Sequence, residues 1–154
     1  MNQTRRSALR AVGGVGAYAA LVSIGLLRPG QANAEDLAEA FRTQGIAATL
    51  KALGAEGATE SDAVEINAPD IAENGAVVPV GIGSKLPDTE MLALLVEKNP
   101  NALAGAYDVV GIEPRVNMRI KMGQSSDVVA LVRADGKYYM ARKEVKVTLG
   151  GCGG

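Results

Sequence analysis

A mainly β fold, an immunoglobulin-like β-sandwich of about seven strands, is what the sequence predicts, on three observations. Short runs rich in apolar and β-branched residues recur at regular spacing from Val64 onward. Turn residues separate them: Asn67-Ala68-Pro69-Asp70, Asn74-Gly75, Leu86-Pro87-Asp88, Asn99-Pro100-Asn101, Glu113-Pro114 and Asp135-Gly136. Several runs also alternate apolar and polar residues with the period of two that a half-buried strand requires. With no Trp and one Cys, the Cys…Trp…Cys core of antibody domains is absent, so a looser relative is expected.

The segment 1–34 reads as an export leader. Arg5, Arg6 and Arg10 form a basic n-region, and the apolar run from Ala11 to Leu27 follows it. Thr4-Arg5-Arg6-Ser7-Ala8-Leu9-Arg10 resembles the twin-arginine signal, with Arg5, Arg6 and Leu9 in place. It departs from the commoner pattern at Ala8 and Arg10. Ala32-Asn33-Ala34 supplies small residues for signal peptidase, so cleavage is expected after Ala34. The apolar run is shorter than the ~20 residues a spanning helix needs. Export to the periplasm by the twin-arginine route is the expectation, with the Sec route as the alternative, and no membrane attachment is expected after cleavage.

Downstream, Leu37, Ala40, Phe41, Ala48 and Leu53 recur at roughly helical spacing, interrupted by Gly45 and Gly54. This predicts one or two short helices in a segment 35–54. The sandwich should occupy 55–149, with strands at Val64–Asn67, Val77–Gly83, Met91–Glu97, Leu103–Val110, Arg115–Met122, Asp127–Arg133 and Lys137–Leu149. Asp135-Gly136 is a strong signal for a two-residue hairpin between the last two. Alternation is cleanest in Arg115–Met122. Val116, Met118, Ile120 and Met122 should face the core, and Arg115, Asn117, Arg119 and Lys121 the other side. The basic row Arg115, Arg119 and Lys121 is either a solvated face or a docking patch for an acidic partner or oxyanion. Met118, Met122 and Met140 are read as core rather than copper ligands.

Absences exclude most chemistries. The chain has no His and one Cys, so neither a Ser-His-Asp nor a Cys-His triad can be built. A zinc or copper site would lack ligands, and no Asp-rich loop of the EF-hand type occurs. No metal site is expected. Cleavage removes four of the sixteen basic residues (Arg5, Arg6, Arg10 and Arg28) and none of the seventeen acids. The remaining acidic domain, poor in aromatics, gives no support to nucleic-acid binding.

The last five residues, Gly150-Gly151-Cys152-Gly153-Gly154, carry the lone thiol. Glycine resists ordering, so this stretch should move freely as an arm of 150–154. Each extended residue spans at most ~3.6 Å, which places the sulfur about 10 Å beyond the sandwich. Without neighbouring side chains the thiol can enter a narrow channel in another protein. An exposed free thiol is a liability in an oxidising compartment, and flanking it with four glycines suits a carrier arm. The alternative is a structural β-sandwich module crosslinked through its tail thiol. Nothing in the tail sequence is placed to activate Cys152, and no second cysteine could complete a redox pair. The chain itself should be catalytically inert.

Four stretches resemble the SoxY family of sulfur-carrier subunits: Ala68-Pro69-Asp70-Ile71-Ala72-Glu73-Asn74-Gly75-Ala76-Val77-Val78-Pro79-Val80, Val96-Glu97-Lys98-Asn99-Pro100, Arg119-Ile120-Lys121-Met122, and Lys143 through Gly154. The resemblance implies a covalent carrier in periplasmic thiosulfate oxidation, with substrate conjugated to Cys152 on an arm made of Gly150, Gly151, Gly153 and Gly154. It implies a complex with a SoxZ-like subunit. A SoxAX-like haem enzyme would load the arm and a SoxB-like hydrolase would release sulfate. A SoxCD-like dehydrogenase acts in those pathways that have one. No cofactor is implied beyond the sulfur intermediates held on Cys152.

Overall fold

The computed structural model describes residues 34–148. The leader residues 1–33, with Arg5 and Arg6, lie outside the described residues, as do Leu149 and the arm with Cys152.

Two short helices open the described chain, α1 (Ala34–Ala40) and α2 (Ile46–Ala52). Glu35 and Asp36 in the first turn of α1 complement the positive helix end. Helix α2 closes at Gly54, whose φ of 68° only glycine adopts readily. The Ala55 N–H reaches the Leu50 carbonyl at 2.7 Å and the Gly54 N–H reaches that of Lys51 at 2.9 Å. These bonds satisfy carbonyls that the helix end would otherwise leave bare.

The remainder is β. The strands are β1 (Thr59–Glu60), β2 (Val64–Asn67), β3 (Ile71–Ala72), β4 (Val78–Ser84), β5 (Thr89–Val96), β6 (Leu103–Asp108), β7 (Arg115–Ile120), β8 (Ser126–Ala134) and β9 (Lys137–Val147). Seven of them match the runs expected from sequence. The two-residue strands β1 and β3, which no run announced, both pair parallel with β9. The larger sheet runs β1-β9-β8-β5-β6 with β3 also on β9, and the smaller is β2-β4-β7, antiparallel throughout.

The two sheets face each other over one core, which includes Val80, Ile82, Leu92, Leu94, Met122, Val128 and Val145. As expected, Ile120 and Met122 are buried there, with Val116 and Met118 packed at its margin. A second core lies on the opposite face of the larger sheet. There α1 and α2 bring Ala40, Ile46, Leu50 and Leu53 onto Ala93, Leu95, Val129 and Leu131. Met140 packs on this second core, across the sheet from Met118. The sandwich therefore carries a third, helical layer. Strands β5 and β8 are buried on both faces, which is why their apolar runs lack alternation. Among the described residues, no helix is long and apolar enough to cross a membrane.

Candidate functional site

Strand β9 leads toward the C-terminal residues 149–154, and its register decides where its last described residues stand. Asp135 and Gly136 both have positive φ, 48° and 69°, the signature of a type I′ hairpin. The turn pairs Ala134 with Lys137, and the antiparallel ladder continues to Ser126 opposite Val145. A slip of one residue would turn Val145 from core to solvent, so burial and turn hold the same register.

Both edges of β9 are clamped at its far end. On the β8 side, Ser125 Oγ accepts the Val147 N–H at 2.9 Å and lies 3.5 Å from the Val147 carbonyl. On the other side, β3 sets Ala72 beside Val147. The Lys146 N–H donates to the Asp70 carbonyl at 2.9 Å and the Thr148 N–H to that of Ala72 at 3.1 Å. Lys143 Nζ reinforces this loop by donating to the Ala68 carbonyl and pairing with Asp70 Oδ1 at 3.0 Å.

Gly75 completes the clamp from below. Asn74 holds the turn through its side chain, which accepts the Ala76 N–H at 2.9 Å. The Met122 N–H donates to the Gly75 carbonyl at 2.7 Å. A Cβ on Gly75 would lie 2.4 Å from the Met122 carbonyl oxygen and 2.8 Å from Val147 Cγ1. Thr148 is thus the last described residue, fixed through its N–H, and residues 149–154 follow directly. The expected arm 150–154 lies outside the described residues, and sequence reasoning missed Gly75, Ala72 and Ser125 as the groups that hold the end of β9. Asn74-Gly75 was visible only as a turn, and Ser125 gave no signal.

The basic row on β7 divides. Arg115 is engaged, with Nη2 3.0 Å from Glu65 Oε2 and Nε 3.5 Å from Glu113 Oε1. Lys85 binds the same Glu65, and its hydrogen bond, aided by the Arg115 charge, lowers the Glu65 pKa below its ordinary 4.5. Arg119 and Lys121 form no ion pair among the described residues. Lys121 adjoins Met122 at the arm mount, whereas Arg115 stands at the opposite end of the strand. No group of three or more His, Cys, Asp or Glu among the described residues could hold a metal ion.

What the fold presents is a rigid β-sandwich whose last strand is clamped on both edges just ahead of a glycine-flanked thiol. The chain belongs to the SoxY family: the family model for sulfur oxidation protein SoxY matches residues 50–152, which include Cys152. A solved structure, the sulfur carrier protein SoxY from Chlorobium limicola f thiosulfatophilum, is 33% identical. It superposes with a TM-score of 0.61 over 71% of this chain and 96% of that one. Two weaker likenesses share 11% identity and a TM-score of 0.39, and carry no argument. An engineered protein covers 56% of this chain and 20% of its own, and a PKD domain of an M14-like peptidase from a Thermoplasmatales archaeon covers 55% and 91%. No curated relative matches the chain.

Proposed function

We propose that this protein is a non-catalytic carrier of sulfur intermediates in thiosulfate oxidation, holding them covalently on Cys152. One observation carries the reading: similarity to the SoxY family extends through residue 152, the lone cysteine. Loading joins the Cys152 sulfur to the outer sulfur of thiosulfate. The thiol proton and two electrons leave, and a SoxAX-like haem enzyme would take the electrons one at a time and pass them to one-electron acceptors. The product is an S–S–sulfonate anion. A SoxB-like hydrolase then adds water across the terminal S–S bond, releasing sulfate and two protons and leaving a persulfide anion on Cys152. A SoxCD-like dehydrogenase oxidises that sulfur where such an enzyme is present. This chain supplies attachment and reach and contributes no acid or base. A SoxZ-like subunit is its proposed partner, and the twin-arginine leader with Arg5 and Arg6 its proposed route to the periplasm.

The deciding experiment is the intact mass of the exported protein after exposure to thiosulfate and the loading enzyme, with and without reductant. A reductant-labile thiosulfonate increment on Cys152, absent from Cys152→Ser with an unchanged melting temperature, is expected. An unmodified thiol, or only a disulfide dimer, would replace this reading with that of a crosslinked structural module.

A further inference from the structure

The turn beneath the clamp brings a side-chain amide against an unhindered main-chain nitrogen. Residues Asn74 to Val77 form a β-turn in which the Val77 N–H donates to the Asn74 carbonyl at 3.3 Å. The exposed Asn74 side chain folds over it, and Oδ1 accepts the Ala76 N–H at 2.9 Å. Between them, the Gly75 N–H has no acceptor among the described residues. Glycine has no Cβ to crowd that nitrogen.

An asparagine side chain and the following main-chain nitrogen can close into a succinimide ring. Negative charge builds on Oδ1 as the ring closes, and the Ala76 N–H already points at that oxygen. A donor preorganised in this way lowers the barrier. The other described asparagines lack the combination. Asn67 and Asn117 stand in the β-ladder on either side of Gly81. Asn99 precedes Pro100, which has no N–H. Asn101 precedes Ala102, which is buried and donates its N–H to the Thr43 carbonyl at 3.3 Å.

We infer that Asn74 is a site of spontaneous covalent modification, its conversion to isoaspartate releasing the end of β9. The Gly75 nitrogen gives its proton to solvent hydroxide and bonds to Asn74 Cγ. The Cγ–Nδ2 bond breaks, and ammonia leaves with a proton taken from water. Water then opens the succinimide, with no electrons transferred. Breaking the bond between the nitrogen and Cγ gives aspartate. Breaking the bond to the main-chain carbonyl carbon gives isoaspartate, whose chain runs on through Cβ and Cγ.

Isoaspartate thus inserts one carbon into the backbone immediately before Gly75, where there is no slack. The Gly75 carbonyl holds the Met122 N–H at 2.7 Å. Even a single added carbon at Gly75 would clash with the Met122 carbonyl oxygen and the Val147 side chain. Lengthening the turn dislodges Gly75 from this seat. The adjoining β3–β9 pairing, which holds the Lys146 and Thr148 N–H groups, loosens with it.

The test is to age the exported protein for weeks at mildly alkaline pH and map its peptides by mass spectrometry, with chromatography separating aspartate from isoaspartate. Isoaspartate is expected at position 74, while Asn67, Asn99, Asn101 and Asn117 remain amides. Hydrogen exchange at the Lys146 and Thr148 amides should accelerate by about fivefold or more in the aged protein, the equivalent of one lost hydrogen bond. Asn74→Ser keeps an oxygen for the Ala76 N–H but cannot form the ring, so its exchange rates should not change with age. Freshly prepared Asn74→Asp carries the new charge without the inserted carbon and should exchange as the unaged protein does. A persistent Asn74 amide, or conversion in urea but not in the folded chain, would show that the turn protects Asn74 and overturn the inference. Isoaspartate with unchanged exchange would overturn its second half, and equal acceleration in fresh Asn74→Asp would assign the loosening to charge instead. These readouts do not depend on whether Cys152 carries cargo.

Discussion

A methyl group at position 75 would strike backbone on one side and the Val147 side chain on the other. Gly75→Ala therefore requires the arm mount or the Met122 segment to shift. Overpacking of this kind costs about 1–3 kcal/mol, to be read as a lower urea midpoint with a changed Val147 amide resonance. At Glu65 the effect is electrostatic. Lys85 and Arg115 depress its folded-state pKa, so the carboxylate stabilises the fold above the unfolded-state carboxylate range. That contribution disappears as pH falls through the depressed folded value. Wild type should exceed Glu65→Gln in stability at neutral pH by a small, salt-sensitive margin. The margin should vanish in acid well below the ordinary carboxylate range of about 4. Urea denaturation of both proteins at the two pH values checks the sign.

Strand β5 shows how an irregularity in an element places a charge. Its pairing with β8 slips between Thr89 and Met91, opposite Ala134 and Arg133, so Glu90 is the extra residue of a bulge. The bulge turns Glu90 toward Arg133, where Oε2 meets Nε at 2.8 Å. Arg133 is only 7% exposed, and burying its charge without the carboxylate is costly. Glu90→Gln is expected to destabilise by up to about 3 kcal/mol, the range of a hydrogen bond to a charged group, measured by thermal or urea unfolding. The β8–β9 hairpin is the complementary case. Its two-residue turn needs positive φ at both positions, and Asp135-Gly136 supplies residues that tolerate it.

The three layers depend on one another. Helices α1 and α2 are seven residues each, far too short to persist alone in water. They are held by the apolar face of the larger sheet, and that face relies on them for cover. Removing residues 34–54 would expose Met91, Ala93, Leu95, Val129 and Leu131 together. A patch of that kind promotes association. The shortened protein is expected to aggregate or lose its cooperative transition, which size-exclusion chromatography and thermal unfolding would reveal. Transitions followed by helical and by sheet signals in the intact protein should coincide, because both cores share β5 and β8.

The sequence by itself determined most of the local elements and the residue proposed to carry the cargo. Strands such as β7 announce themselves because one face is buried and the other wet, which leaves a period-two record in the residue types. The Asp135-Gly136 hairpin is legible because few residues accept its backbone angles. Cys152 is legible because it is the lone thiol, set among glycines. The helical layer was not legible as a layer. A strand buried on both sides, like β5 or β8, shows a continuous apolar run that does not say what covers each face. Strands β1 and β3 were missed because two residues carry no periodicity, and their pairing with β9 is a long-range event. Tertiary structure alone decided that Gly75, Ala72 and Ser125 meet at Thr148 and Val147, since these residues come from separate turns and strands. It also split the basic row, giving Arg115 to Glu65 and leaving Arg119 without an ion pair among the described residues, because ion pairing depends on which strands become neighbours.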